Sequence, residues 1–204
     1  MFQNWFNPEN SFWEFMNNVT NVLFIGLIWF VFCLPIITIG ASTTALYDYT
    51  LKLAANAEGY VIKSFFQSFK KNFAKATLIW LLILLGIGFL TLDAYICLAM
   101  GNTIGNILFF AILALGIIFL IISIYVFPVL AFFHTNIKDT FKNACLMGIA
   151  RLPLTLLILI IFGIGALITY SVPYLIFALG GFTAYVSSYC YLSVFRKYTD
   201  SEIQ

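Results

Sequence analysis

The sequence predicts an all-α integral membrane protein, a polytopic helix bundle with five transmembrane helices and one or two amphipathic helices at the cytoplasmic interface. Apolar types make up 63 % of the 204 residues and charged types 9 %, against about 45–50 % and about 25 % in a soluble domain. So few charges cannot cover a soluble surface, and 23 Phe with 11 Tyr exclude a disordered chain. We therefore expect one membrane domain over 1–204.

Five spans follow from the long charge-free stretches, because a helix needs about 20 apolar residues to cross a hydrocarbon core. The polar turn Gly101–Asn106 separates the second span from the third, and the break at Thr169–Pro173 separates the fourth from the fifth. Both segments are rich in turn-forming residues. The predicted spans are 19–41, 77–97, 107–127, 152–168 and 174–195.

Positive charge predicts the orientation, since Lys and Arg mark the cytoplasmic side of a membrane protein. The first 51 residues contain neither, and the two turns between the later spans contain neither. Every basic residue then falls on one side of a five-span arrangement: Lys52, Lys63, Lys70, Lys71, Lys75, Lys138, Lys142, Arg151, Arg196 and Lys197. This predicts an N-terminus outside and a C-terminus in the cytoplasm. The formal net charge of +2 is too small for the basic face that nucleic-acid binding needs.

The segment 60–75, between the first two spans, has the pattern of an amphipathic helix with aromatic residues on one side and lysines on the other. The residues of this predicted docking helix are Lys63, Phe65, Phe66, Phe69, Lys70, Lys71, Phe73 and Lys75. The helix could lie in the inner interface with its lysines toward anionic lipids, pack on the cytoplasmic ends of the spans, or bind a partner. A second, less charged segment at 136–150 repeats the pattern.

A proline followed by hydroxyl residues predicts a kink at the end of the first span, because proline removes a helical donor. The candidate kink residues are Pro35, Thr38, Gly40, Ser42, Thr43 and Thr44. A broken helix lined with hydroxyl groups could coordinate a solute or let a partner helix approach closely. Alternatively, the hydroxyl groups bond to local carbonyls.

No residue set in the sequence suits catalysis, a metal or a cofactor. The single histidine, His134, has no convergent partners, and Asp93 is predicted near the outer end of the second span, where a carboxylate is tolerated. The four cysteines are scattered without metal-ligand spacing. We therefore expect no enzymatic activity, no cofactor and no metal site.

The region around the kink resembles a known family. The stretch from Leu34 to Tyr47 reads LPIITIGASTTALY, and Lys52-Leu53, Glu58-Gly59-Tyr60, Ser64-Phe65-Phe66 and Phe69-Lys70-Lys71-Asn72-Phe73 follow it. Over about residues 20–80 this pattern is similar to the YesL-like family of bacterial membrane proteins, whose function is unknown. The resemblance implies a multi-spanning protein of about this size in the bacterial plasma membrane. Family members tend to be encoded beside carbohydrate uptake systems, polysaccharide-degrading enzymes and two-component sensors, and no catalytic or binding residue is established for them.

What the resemblance implies for function is a non-enzymatic accessory or regulatory component of carbohydrate or oligosaccharide uptake, or of its sensing. The implied partners are a sugar transporter permease or a membrane sensor kinase, besides the lipid bilayer itself. The alternative is a small solute transporter that acts alone or as a homodimer. Such a transporter would need polar residues along a pathway, and apart from the hydroxyl run the spans contain few.

Overall fold

Seven α-helices account for most of the residues described, 11–57 and 59–202, in a computed structural model of the chain. They are α1 Ser11–Cys33, α2 Ile39–Ala54, α3 Val61–Ala99, α4 Thr103–Phe133, α5 Ile137–Ala150, α6 Leu152–Ser171 and α7 Ile176–Glu202. Five of them, α1, α3, α4, α6 and α7, are long and apolar enough to cross a membrane. The prediction of an all-α polytopic membrane bundle is thereby confirmed. The predicted outer N-terminus falls on residues 1–10, which lie outside the described residues.

The structure corrects the first predicted span, 19–41, which is two helices rather than one. Helix α1 ends at Cys33, the backbone is extended at Pro35 (φ −74°, ψ 116°), and a 3-10 turn at Ile36–Thr38 leads into α2. Proline has no N–H to continue the helical ladder and pushes the preceding residue out of the helical region. The predicted kink is therefore a complete turn.

Helix α2 lies inside the bundle. It packs against α1, α3, α4 and α7, and 12 of its 16 residues are buried. The buried residues include the polar side chains of Ser42, Thr44, Asp48 and Thr50. A helix with so many polar groups is tolerated at membrane depth only where protein surrounds it. The other helices supply that surrounding.

The predicted docking helix at 60–75 is not a separate element. It forms the first part of α3, a single helix of 39 residues and about 58 Å. No glycine or proline lies between Gly59 and Gly86, so nothing in the sequence ends the helix before the apolar segment starts. By contrast, α5 is a separate helix at the position of the second amphipathic segment, 136–150.

Helix α1 runs antiparallel to α7, and the two backbones touch at glycines. A Cβ on Gly26 would lie 2.2 Å from the carbonyl oxygen of Phe177, and one on Gly181 would lie 2.3 Å from that of Val22. Small residues allow such a close approach between membrane helices. Residue numbers therefore fall along α7 as they rise along α1.

The other helices relate this direction to the basic loops. Helix α4 runs parallel to α7, because Tyr125 contacts Tyr191 and Phe132 contacts Phe195, with ring centroids 5.2 and 5.0 Å apart. The hairpin of α3 and α4 is antiparallel, with its turn at 100–102. Helices α1 and α3 thus start on the side where α4 and α7 end. This corrects the predicted topology, in which the first span starts on one side of the membrane and the last span ends on the other. The difference arises because α2 runs back across the bundle after α1 and so adds one reversal of the chain.

The last part of α3 and the first half of α4 form a two-helix arm, residues 84–118, that the rest of the chain barely covers. Within the arm only Cys97 and Gly105 are buried. These two lie against each other, since a Cβ on Gly105 would be 2.5 Å from the Cys97 carbonyl oxygen. No residue in the most apolar 18-residue stretch of α4 is buried. The arm therefore presents apolar side chains on nearly all sides.

Candidate functional site

Hydroxyl groups at the predicted kink bond to nearby backbone. Thr38 Oγ1 donates to the carbonyl oxygen of Phe32 at 2.6 Å and to that of Pro35 at 2.8 Å. Ser42 Oγ donates to the Thr38 carbonyl oxygen at 3.0 Å. Ser and Thr side chains commonly satisfy carbonyls that a break in a helix leaves free. These contacts match the alternative in which the hydroxyl groups serve the turn itself.

Gly40 lets α2 approach α3 closely. A Cβ at this position would lie 2.5 Å from the carbonyl oxygen of Ala76 and 2.7 Å from the Cβ of Trp80. The Gly40 carbonyl accepts the Thr44 hydroxyl at 2.9 Å. The helix that approaches the kink is therefore α3 of the same chain.

The aromatic side of the predicted docking helix packs on the end of α1. The ring of Phe32 contacts those of Phe65, Phe66 and Phe69, with centroids 5.6, 5.4 and 5.2 Å apart. Phe65 is fully buried, whereas Phe66 and Phe73 keep 38 % and 40 % of their surface exposed. Most of the aromatic side therefore packs within the bundle, against the last turn of α1.

The lysines of the same segment point away from this packing. Lys63, Lys70 and Lys71 are exposed, and Lys75 Nζ donates to the carbonyl oxygen of Thr135 at 3.2 Å. Three ammonium groups are thus accessible at the side of the bundle where α3 begins. Anionic groups outside the protein can reach them.

A groove of about 380 Å³ lies between α1 and α2 on one side and α6 on the other, with α7 as its floor. Small residues leave the space, among them Gly165 and Ala166 of α6 and Gly180 and Ala184 of α7. This groove is not among the sites predicted from the sequence. The signal available was the run of small residues inside two otherwise bulky apolar spans.

One kink residue belongs to the groove. Thr43 lines it, and its Oγ1 accepts a hydrogen bond of 3.2 Å from the indole Nε1 of Trp29. Phe162 of α6 and Leu179 of α7 contribute apolar walls. Thr43 therefore differs from the other kink hydroxyls, because it lies at a surface that a second molecule can reach.

Buried hydroxyl groups tie α2, α4, α6 and α7 together. Tyr125 and Thr155 share a hydrogen bond of 2.9 Å, and Tyr47 and Ser187 share one of 3.4 Å. The rings of Tyr47 and Tyr125 both contact the fully buried ring of Tyr191, with centroids 5.6 and 5.2 Å away. Hydrogen bonds thus join α4 to α6 and α2 to α7, and the aromatic contacts join α2 and α4 to α7.

Tyr191 also completes a helix that a proline interrupts. Pro128 lies inside α4 and has no N–H for the carbonyl four residues earlier. That carbonyl belongs to Ile124, and the Tyr191 hydroxyl donates to it at 3.0 Å. Helix α7 therefore supplies a hydrogen bond that α4 cannot make. The donor and acceptor are 67 residues apart, so local sequence pattern does not reveal the pair.

His134 follows α4 in a left-handed backbone conformation (φ 51°) and lines a pocket of about 210 Å³ with Asp48 and Lys52. These two form an ion pair of 2.6 Å. Burial, and next the charge of Lys71, lowers the pKa of His134. Asp93 is exposed on the arm. The described residues include no group of three or more His, Cys, Asp or Glu that could hold a metal ion.

Comparisons with known proteins agree with the resemblance predicted from the sequence. Residues 18–94, which contain α2 and most of α1 and α3, match the model of a family described as a protein of unknown function, DUF624. The uncharacterized protein YesL of Bacillus subtilis (strain 168) is 23 % identical over 193 residues, which are 92 % of this chain and 91 % of YesL. No solved structure matches the chain. The resemblance to the YesL-like family is confirmed.

Proposed function

We propose, from the premise that this chain is a YesL-like multi-pass membrane protein, that it is a non-enzymatic accessory or regulatory component that docks on a larger membrane protein. The observation that carries the proposal is the α3–α4 arm, residues 84–118, whose apolar surface the chain itself leaves uncovered. Another membrane protein can pack against it within the bilayer.

The arm favours a helical partner over lipid because of two open glycines. At Gly88 and Gly116 nothing lies within 4 Å of the position of a Cβ. Glycine inside a helix costs about 1 kcal/mol relative to alanine, and lipid contact gives nothing in return. Small residues do allow the close backbone approach on which packing between membrane helices depends. Open glycines on two apolar helices therefore support a contact with a helix of another protein.

The partner proposed is a sugar transporter permease or a membrane sensor kinase, so that the chain serves carbohydrate uptake or its sensing. This step comes from the family resemblance. A second copy of the chain is the other occupant that the arm could take. The rival function, a small solute transporter, is less well supported because Thr38, Ser42 and Thr44 direct their hydroxyl groups to their own backbone.

We further propose that the basic side of the bundle faces the cytoplasm of a bacterial cell, since Lys and Arg accumulate on the cytoplasmic side. The starts of α1 and α3 would then lie at the inner face of the plasma membrane, with the ends of α4 and α7. Exposed Lys63, Lys70 and Lys71 would meet anionic headgroups there. The exposed Lys138 and Lys142 of α5 would meet the same surface.

The open glycines give a sharp test of docking. Gly88→Leu and Gly116→Leu place a side chain in empty space and improve helix propensity, so the chain's own fold should tolerate both. We expect gentle affinity purification from native membranes to recover a permease or kinase with the wild-type protein. Each variant should weaken that association by about 1–3 kcal/mol of overpacking, or about 5- to 150-fold. Gly163→Leu on α6, equally open, is the matched control and should keep the partner.

Full recovery of the partner with both substitutions present would contradict docking through the arm. Recovery of the wild-type protein by itself, in good yield, would contradict the accessory role. Uptake of candidate sugars by the reconstituted protein would then be the next measurement, because that is the activity of the rival transporter.

A further inference from the structure

We infer that the groove between α6 and the α1–α2 hairpin binds one acyl chain of a membrane phospholipid, in the leaflet that adjoins the α6–α7 turn. The groove shares no residue with the arm, so this inference is independent of the proposed docking role. Three features carry it: the depth of the groove in the membrane, its length, and the chemistry of its walls.

The groove begins at the membrane interface. Along α7 its wall runs from Ile176, beside the α6–α7 turn, to Ala184. Tyr170 and Tyr174 flank that turn with 88 % and 86 % of their surface exposed, and exposed tyrosines are enriched at the level of lipid headgroups. A phospholipid whose headgroup lies beside these two tyrosines can place one chain along the groove.

The groove has a length that suits part of a hydrocarbon chain. The rise of α7 from Ile176 to Ala184 is about 12 Å, and the groove along it has a volume of about 380 Å³. A single acyl chain can lie in this space, parallel to the helices that line it.

The walls suit an apolar occupant. None of the described residues that line the groove is charged. Two of the groove hydroxyls, Thr169 and Thr183, donate to backbone, at 2.8 Å to Gly165 and 2.7 Å to Leu179, and the Trp29 indole N–H is likewise bonded. The surface left to a ligand is mostly carbon. An empty groove would forfeit dispersion contacts along all its walls, and acyl chains are the molecules present at that depth.

Trp29 makes an acyl chain in the groove detectable, because bromine atoms on a chain quench a tryptophan they touch. The full-length protein would carry Trp29 as its only tryptophan, with the other three of its four changed to Phe. Titration in mild detergent with phosphatidylcholine brominated on its chains should quench Trp29 to a plateau. Native mass spectrometry of the wild-type protein should show one retained phospholipid.

Ala166 and Ala114 provide a filling variant and its control, since both are exposed and only Ala166 lines the groove. Ala166→Phe should abolish the plateau and the retained lipid, and Ala114→Phe on the arm should keep both. Ala166→Leu gives the same test with a smaller side chain if the phenyl ring impairs folding. Quenching that rises without a plateau, or that persists in Ala166→Phe, would overturn the inference. So would a dimer that Ala166→Phe dissociates, because a second copy would then fill the groove.

Discussion

Removal of the Tyr191 hydroxyl group is expected to destabilise the protein by about 1–3 kcal/mol, the cost of leaving a partly buried carbonyl without a partner. The carbonyl belongs to Ile124, and Pro128 cannot replace the lost donor. Tyr191→Phe keeps the ring that packs against Tyr47 and Tyr125. The loss of stability therefore reflects lost hydrogen bonding rather than lost packing.

Pro128→Ala provides the decisive comparison, because alanine restores an N–H four residues after Ile124. In that background Tyr191→Phe should cost about 1 kcal/mol less, a coupling within the range of residues that share one hydrogen-bond network. The assay is reversible unfolding in mixed micelles of increasing SDS content, with circular dichroism as the readout. It is applied to the wild type, both single variants and the double variant. Equal costs of Tyr191→Phe in the two backgrounds would refute the idea that α7 completes the bonding of α4.

Two further predictions concern His134 and the direction of α1. The only histidine, His134 should show a pKa below its usual value of about 6.5 in its single NMR titration curve, because burial and Lys71 disfavour the charged form. As the pH falls, the unfolded chain then binds a proton at His134 before the folded protein does. The contribution of His134 to the free energy of unfolding is therefore complete above about pH 6.5 and is lost as the pH falls through the folded pKa. A His134→Gln variant with the same dependence of stability on acid pH would argue against this. In a cysteine-free background, Asn17→Cys should react with an impermeant thiol reagent only after permeabilisation and Thr103→Cys without it, whereas labelling of both from outside would support the predicted outer N-terminus.

Sequence pattern located the apolar helices but not every reversal of the chain. The break between α6 and α7 was predictable, because Pro173 and polar neighbours interrupt the apolar run there. The turn between α1 and α2 was not, because its residues are themselves apolar. Leu34, Ile36 and Ile37 are exposed by 68 %, 67 % and 60 %. A turn that faces lipid does not need the polar side chains that mark a turn in water. The hydropathy of this turn is therefore the same as that of the span before it.

The candidate site divides in the same way between local and distant contacts. The backbone bonds of Thr38 and Ser42 follow from spacings of three or four residues, which a sequence displays directly. The groove brings Trp29 of α1 beside Gly165 of α6 and Gly180 of α7. The periodicity of a single sequence does not predict this contact, because the contact depends on which helices are neighbours. The exposure of the arm could not be predicted either, since an apolar segment has the same pattern whether other helices or lipid surround it.

The burial of α2 constrains the order in which the protein can be made. Tyr47 of α2 and its hydrogen-bond partner Ser187 are 140 residues apart. At about 5–20 residues per second, a ribosome reaches Ser187 roughly 7–30 s after Tyr47. Throughout that interval α2 has no α7 to enclose it, although the carboxylate of Asp48 is buried in the finished bundle. A polar helix of this kind is unstable alone in lipid. Helix α2 therefore reaches its enclosed position only after the last helix has been made.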